Sequence, residues 1–275
     1  MKGLLTATQT ATPPPGKRLS HHTWFAVAFF GCFMAVWIFA LPGGVWGRRS
    51  WMSATCEKEG LTAEAWEAGT RRDGLPWVLL TTKFAPPNHT DVRMMHHAAS
   101  GVWAILAPMQ LSAAFRRRWP LLHRWGGRLM ATLAVPIIWG VALIEKRGLT
   151  YDETFGGGKM ELKLLVTLRA IALGFLVSAA MAWWHARRRE FEAHSRWARR
   201  YIALGMWVAV QRFLLVFCII PLGKVLMGRA WSAGEARTAF SQAALVAAAL
   251  CVAVAELCNA ADAKERRSTA GTKVM

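Results

Sequence analysis

Residues 164–184 read LLVTLRAIALGFLVSAAMAWW, an almost uninterrupted apolar run with the length of one membrane crossing. About twenty apolar residues in a helix match the roughly 30 Å thickness of a hydrocarbon core. Hydrophobic residues make up 54% of the 275-residue chain, and runs of this kind recur along it. The sequence therefore predicts an all-α, polytopic transmembrane bundle rather than one or two soluble domains.

The apolar runs predict six transmembrane helices, which form a single domain over residues 22–260. The helices are expected at residues 22–41, 93–114, 122–144, 162–185, 199–222 and 238–259. A polar loop, residues 42–92, separates the first two helices. Residues 1–21 are expected to form a flexible tail, and residues 261–275 a basic one.

Basic residues predict the orientation of the bundle. The chain carries 34 Lys and Arg against 16 Asp and Glu, a formal net charge of +18. These bases concentrate beside apolar segments, as in Arg116-Arg117-Arg118 and Arg187-Arg188-Arg189, on flanks with few acids. The positive-inside rule then places both termini in the cytoplasm. Basic helix ends also meet anionic headgroups, so membrane lipids are the expected partners and nucleic acid is not.

Several other classes of site are not expected. The five cysteines form no C-x-x-C pair, and four of them fall in apolar segments, so neither structural disulfides nor a cysteine zinc site is predicted. The run Gly156-Gly157-Gly158 departs from the phosphate-loop pattern and is interpreted as a flexible turn. No nucleophile elbow or carboxylate pair indicates catalysis of the kind found in soluble enzymes.

Two histidines carry the functional prediction. His97 and His123 are each followed four residues later by a glycine, Gly101 and Gly127. A titratable side chain at membrane depth is costly, so it is a functional-site hypothesis by default. Imidazole is also the usual axial ligand of haem iron. Glycine on the same helix face leaves room for a flat ligand or for another helix.

The two histidines are expected at different depths. The second helix runs inwards from His97 and the third returns from His123, so their levels are on the order of 24 Å apart. This separation suits electrons that cross a membrane, and it does not suit one metal ion shared by both. His96 is an adjacent candidate, but His97 lies on the face with the smaller residues. Gln110 lies near the inner level, where it can bond a ligand or a histidine ring, or reach the interface.

The inner level offers further candidates around His123. Arg124 and Arg128 flank its face, and arginine suits the bidentate binding of haem propionates, although lipid-headgroup anchoring explains the same pattern. His185 and His194 both compete for the place opposite His123. His194 is favoured, because His-x-x-Trp-x-x-Arg puts three side chains on one helical face.

Two arginines lie inside apolar helices, Arg169 in the fourth and Arg212 in the fifth. A buried arginine needs an anionic partner or water. Arg169 is placed either to meet Glu145 in a structural ion pair or to bind an anionic ligand group. Arg212 is a second candidate for ligand binding or ion pairing.

The histidine motifs resemble those of a known group of bacterial proteins. The motifs are His97-x-x-x-Gly101, Pro108-x-Gln110, His123-Arg124-Trp125-Gly126-Gly127-Arg128 and His194-x-x-Trp197-x-x-Arg200. They resemble the integral-membrane domain-of-unknown-function family 2306 over about residues 90–215. That resemblance implies a multi-pass integral protein of the bacterial inner membrane, without an established activity.

More distantly, the predicted arrangement of helices and histidines resembles that of transmembrane b-type cytochromes of the ascorbate- and ferric-reducing kind. In those proteins four central helices supply histidine pairs to two haems. This resemblance implies haem b held by His97 at the outer level and by His123 with His194 at the inner level. At the outer level of the fourth helix the chain departs from the pattern, since Arg169 stands there and no histidine does.

Three functions are compatible with these features. The first is a b-type haem protein that moves electrons within or across the membrane with an external redox partner, because the chain is too small for its own flavin or nicotinamide domain. The second is a haem-free protein that binds or transports a small anionic ligand through Arg169, Arg212 and the histidines. The third is a structural or assembly subunit whose histidines cap or bridge helices.

Overall fold

A computed structural model describes residues 15–39, 89–149, 162–228 and 233–272, and its elements in these ranges are all helices. The predicted all-α class is confirmed for this part of the chain. Nearly all of the loop 42–92, with Cys56, and the turn Gly156-Gly157-Gly158 lie outside the described residues.

We number the helices α1 to α7 in chain order. Five of them are regular: α1 is Pro15–Phe39, α3 is Ala113–Arg118, α4 is Pro120–Lys146, α5 is Leu162–Arg187 and α7 is Ala233–Thr272. The other two are each interrupted by a π-helical segment, in which the backbone widens locally. Helix α2, residues 90–111, comprises Thr90–Val92, the π segment Arg93–Ala98 and Ala99–Leu111. Helix α6, Phe191–Met227, comprises Phe191–Phe213, the π segment Leu214–Ile219 and Ile220–Met227.

Five of the described helices, α1, α4, α5, α6 and α7, are long and apolar enough to cross a membrane. Large apolar side chains cover their outward faces, and Val135, Trp139, Leu173 and Leu250 are all at least half exposed. An apolar surface of this extent is unfavourable in water and is solvated well by lipid. These helices indicate a multi-pass membrane protein.

Helix α2 is more polar than these five. Arg93, His96, His97 and Gln110 interrupt its apolar pattern, and for this reason it is not counted among the candidate spans. It nevertheless lies inside the bundle, where its Trp103 is only 3% exposed. Polar side chains on an enclosed helix require partners from the protein or from a ligand.

Contacts between helices define two ends of the bundle. At the first, which we call the basic end, Trp24 Nε1 donates to the Pro108 carbonyl (2.8 Å), and Thr23 Oγ1 lies 3.2 Å from Cys258 Sγ. The turns from α2 to α4 and from α5 to α6 also lie there. At the second, the opposite end, lie the end of α1, the start of α2, the end of α4 and the start of α7.

An aromatic cluster holds the middle of the bundle together. The Trp103 and Tyr201 rings meet edge to face with centroids 5.6 Å apart, and Phe175 lies 4.6 Å from Tyr201. The Tyr201 hydroxyl donates to the Met130 carbonyl at 2.5 Å. Gly205 leaves the space that the Trp103 ring fills, since any Cβ there would overlap it. The cluster thereby joins α2, α4, α5 and α6.

Three helices extend well beyond their predicted limits. Helix α6 begins at Phe191 rather than 199, and α7 continues to Thr272 rather than ending at 259. The added segments are polar, so hydropathy does not detect them, but they are rich in the helix formers Ala, Glu, Lys and Arg. The stretch expected as a basic tail, 261–275, is therefore helical as far as Thr272. Similarly, α1 begins at Pro15, inside the expected tail 1–21.

Candidate functional site

The histidines of α2 lie at the opposite end of the bundle. The rings of His96 and His97 are side by side, with centroids 5.6 Å apart. His96 Nδ1 lies 3.1 Å from the Ile137 carbonyl of α4. Because a carbonyl only accepts, Nδ1 must carry the proton and Nε2 the lone pair of the neutral ring. Arg93 and Arg212 are close enough to act electrostatically on His97.

Neighbouring helices fill the space that glycines leave at this level. Gly101, expected to make room for a flat ligand or another helix, faces the ring of Phe39 from α1. Gly140 of α4 lies directly against α2, since a Cβ there would be 2.5 Å from the Cβ and 2.8 Å from the backbone nitrogen of His96. Small residues permit such close helix contacts in membranes. A flat cofactor does not fit beside Gly101 without displacement of Phe39.

His123 and His194 come together at the basic end. His194, Arg116 and Arg124 are close enough to act electrostatically on the His123 ring. His194 Nδ1 lies 2.9 Å from the Ala182 carbonyl and must donate to it, which leaves the Nε2 lone pair of the neutral ring available. His123 Nδ1 is buried without a hydrogen-bond partner among the described residues. Two different helices, α4 and α6, therefore bring together two imidazoles, each with one ring nitrogen that has no hydrogen-bond partner in the described part of the chain.

Gln110 joins this pair from α2. Its amide lies over two glycines of α4: a Cβ at Gly126 would be 2.5 Å from Nε2, and one at Gly127 would be 3.2 Å from Oε1. Nε2 is buried and finds no acceptor within the described part of the chain. A buried donor without an acceptor costs about 1–3 kcal/mol. Two such atoms, on Gln110 and His123, mark a place where a ligand group can be bound.

His185, the competing candidate for the place opposite His123, is engaged elsewhere. Its Nδ1 lies 2.5 Å from Glu190 Oε2. The turn between α5 and α6 is tight, with Arg189 at a left-handed φ of 62° and the Glu190 amide donating to the His185 carbonyl at 3.0 Å. This helix-ending arrangement turns the chain so that His194, rather than His185, approaches His123.

The arginines expected to flank His123 have different surroundings. Arg124 lies near His123, whereas the Arg128 guanidinium stacks 4.7 Å from the ring centroid of exposed Trp125. Arg116, which the sequence did not single out, is the second arginine near His123. The feature that could have identified Arg116 is its position in the short α3, immediately before the chain turns back into α4.

The two arginines inside apolar helices lie toward the opposite end. Arg169 pairs with Glu145, the first of the two alternatives that the sequence left open. The Arg212 guanidinium lies 4.8 Å from the Phe240 ring centroid and within electrostatic reach of His97. Both arginines are thus distant from the His123–His194 pair.

The sequence did not predict the ion pairs that join α6 to α7. Arg200 binds Glu256 through two bonds, of 2.6 and 2.9 Å. Arg199 pairs with Asp262 and donates to Asn259 Oδ1 at 2.9 Å. Glu256, Asn259 and Asp262 are spaced three positions apart, which puts them on one face of α7. This spacing is the sequence feature that could have indicated the contacts with α6.

At the level of chemistry, the basic end combines two imidazoles, one amide and two guanidinium groups, a set suited to a metal-containing or anionic ligand. The likeness to the domain-of-unknown-function family 2306 and to b-type cytochromes rests on the motifs alone and stays a prediction, because no family model, no curated protein and no solved structure matches this chain.

Proposed function

We propose that this chain is a six-span membrane protein that holds one haem b at the basic end, between His123 and His194, and exchanges electrons with an external redox partner. Helix α2 is the sixth span in this proposal. The observation that carries it is the meeting of two imidazoles from different helices: among the described residues, His123 Nδ1 is buried without a hydrogen-bond partner and His194 Nε2 has none.

The surroundings of His194 suit a metal ligand. Metal-binding histidines typically donate their other ring N–H to a carbonyl or carboxylate, which fixes the tautomer and the ring orientation. The bond from His194 Nδ1 to the Ala182 carbonyl has this form. Two imidazoles are fewer than the four ligands of a structural zinc site, whereas haem brings its own ring nitrogens. When bound, haem supplies one-electron redox chemistry.

The polar groups near the pair suit the anionic edge of the same cofactor. Arg116 and Arg124 place positive charge near His123, and guanidinium groups bind carboxylates with two parallel bonds. Gln110 Nε2 offers a further donor, now without an acceptor among the described residues. These three side chains would hold the propionates and fix how the ring lies between α4 and α6.

The proposal is for one haem rather than two. At the opposite end the space beside Gly101 is filled by Phe39, and His96 is held against Gly140. Helix α5 contributes Arg169 there, and this arginine is paired with Glu145. A second haem beside Gly101 would have to displace the Phe39 ring.

The same proposal places the basic end in the cytoplasm. The exposed arginines of α3 and of the α5–α6 turn lie at this end, and cytoplasmic flanks carry an excess of such residues. At the opposite end, in contrast, Arg147 and Arg169 are paired with acids. The haem would then exchange electrons with a partner on the cytoplasmic side.

A reduced minus oxidised visible spectrum of the detergent-purified protein tests the proposal, with haem quantified per chain. We expect sharp α and Soret bands and a single haem per chain in protein from haem-replete cells. His123→Ala and His194→Ala should lose most of the haem. His185→Ala is the matched control, because His185 lies at the same end but is bound to Glu190. A colourless wild-type protein, or full haem retention in His123→Ala, would reject the proposal.

A haem-free site for a small anion is the second candidate. The Gln110 amide favours it, because this amide lies against Gly126 and Gly127 of α4 and its Nε2 has no acceptor among the described residues. It predicts a colourless protein whose thermal midpoint rises with added phosphate or a dicarboxylate. Gln110→Met should abolish that rise. The same variant would leave a bis-histidine haem protein coloured, so the two candidates are distinguished by one sample.

A further inference from the structure

Two surface pairs of tryptophan and arginine repeat at the basic end. Arg128 stacks 4.7 Å from the Trp125 ring centroid on α4, and Arg188 stacks 4.7 Å from that of Trp184 at the end of α5. Both tryptophans are exposed, by 64% and 52% respectively. Exposed tryptophan on a membrane helix lies at the level of the headgroups. Each stacked guanidinium is thereby held at the same depth.

The short helix α3 has the character of an interfacial segment. Its start is capped by Ser112 Oγ, which accepts from the Phe115 amide at 3.1 Å. Its Arg116-Arg117-Arg118 run is fully on the exposed surface, and exposed Trp119 and Leu121 follow directly. Arginines beside exposed apolar side chains are typical of segments that lie along a bilayer surface.

The charge of this end is poorly compensated by the protein. Within the described ranges, the following exposed arginines have no acidic side chain in ion-pair distance: Arg116, Arg117, Arg118, Arg124, Arg128, Arg187, Arg189 and Arg196. At the opposite end, Arg147 and Arg169 are each neutralised by an acid. Within the described residues, the exposed arginines without an acidic partner are thus concentrated at the basic end.

From these three features we infer that the basic end is a binding surface for anionic phospholipid headgroups. The guanidinium groups meet the phosphates, and the exposed rings of Trp125 and Trp184 enter the upper acyl region. An acidic soluble protein would satisfy the charges but not these apolar rings. The inference rests on the membrane setting and does not depend on haem, so lipid binding is expected to survive in His123→Ala.

Native mass spectrometry of retained lipid tests this inference. The detergent-purified protein is offered phosphatidylglycerol and phosphatidylcholine at equal concentration. We expect several-fold more phosphatidylglycerol on the wild-type protein, and loss of most of this preference in the double variant Arg117→Gln/Arg118→Gln. The variant Lys146→Gln/Lys163→Gln removes the same charge from exposed positions at the opposite end and should keep the preference.

A second variant protects the test against misfolding of α3. Arg128→Gln/Arg188→Gln removes the two stacked arginines without a change in α3 and should also lose the preference. Equal retention of both lipids by the wild type, or equal losses in the basic-end and opposite-end variants, would overturn the inference. Displacement of the lipid by inorganic phosphate alone would overturn it as well, because the site would then recognise phosphate without the acyl chains.

Discussion

The two histidine levels of the bundle share a motif and differ in what surrounds the rings. At the opposite end, His96 is bonded to the Ile137 carbonyl, and its backbone lies against Gly140. At the basic end, His123 Nδ1 and Gln110 Nε2 are both buried without a partner among the described residues. Packing around the rings therefore differs between the two levels: neighbouring helices fill the gaps at the opposite end, whereas the basic end keeps buried polar atoms without a partner among the described residues, as the proposed ligand site requires.

The glycines of the two levels also differ in what occupies the space beside them. The space at Gly101 is taken by Phe39, an aromatic ring that belongs to a neighbouring helix. The space at Gly127 is taken by Gln110, whose amide is the flexible end of a side chain. The Phe39 ring fills the space beside Gly101. The Gln110 amide, whose Nε2 has no acceptor among the described residues, can turn toward an incoming ligand.

The largest expected effect comes from Gly140→Ala compared with Gly127→Ala. At Gly140 the new methyl meets the backbone of His96, and overpacking of this kind costs about 1–3 kcal/mol. At Gly127 it meets only the Gln110 amide, and alanine gains up to about 1 kcal/mol in a helix. Thermal unfolding in detergent should show a lower midpoint for Gly140→Ala and an unchanged or higher one for Gly127→Ala. Equal midpoints would remove the contrast between the two levels.

Two glutamines sharpen the comparison with opposite signs. Gln211 at the opposite end is 1% exposed and donates to the Phe240 carbonyl at 3.1 Å, so Gln211→Met should cost about 0.5–1.5 kcal/mol. Gln110 Nε2 has no acceptor among the described residues, so Gln110→Met should leave the ligand-free protein as stable or raise its stability by about 1 kcal/mol. Chemical denaturation of both variants measures the difference. A loss in Gln110→Met equal to that in Gln211→Met would mean that Gln110 is a structural residue.

A smaller effect is expected where α6 and α7 meet near the basic end. Arg200 and Glu256 form a two-bond ion pair, but their side chains are 33% and 45% exposed, so solvent screens them. A double-mutant cycle with Arg200→Gln and Glu256→Gln should give a coupling of about 0.2–1 kcal/mol. The same cycle between Arg200 and Asp91, which lie at different ends, should give none. Coupling in that control would mean that the two ends are not independent.

The smallest effect is a pH dependence at the opposite end. The hydrogen bond from Arg147 lowers the pKa of the Asp91 carboxyl below its usual value and raises that of the Arg147 guanidinium. The stability from this pair is fully present above the pKa of an unfolded aspartate, about 3.9, and is lost as the pH falls through the lower folded value. The difference in thermal midpoint between wild type and Asp91→Asn should be constant near neutral pH and shrink below about pH 4. A difference that persists in strong acid would contradict this pairing.

The sequence predicted those parts of the fold where hydropathy and structure coincide. The expected helices at 122–144 and 162–185 match α4, Pro120–Lys146, and α5, Leu162–Arg187, because each is a continuous apolar run. The start of α6 and the end of α7 were missed, since their polar residues are helical without being apolar. Ion pairs such as Arg199 with Asp262 stabilise these ends, and hydropathy carries no information about them.

The sequence predicted the membrane depth of the site residues, but it did not predict which neighbouring side chains pack against them. The direction of each helix placed His123 and His194 at one level, and the structure brings these two together. Helix direction says nothing about which side chain of a neighbour fills a gap. The occupation of the Gly101 face by Phe39, and the approach of Arg116 to His123, therefore became visible only in three dimensions.

The proposed assignment of the haem to the basic end is best tested with two variants, His97→Ala and His123→Ala. The haem content per chain is measured in both after identical expression and purification. The claim assigns ligation to the basic end alone, so His97→Ala should retain the haem of the wild type and His123→Ala should lose nearly all of it. The reverse result, with haem lost in His97→Ala and kept in His123→Ala, would contradict the assignment and move the site to the opposite end.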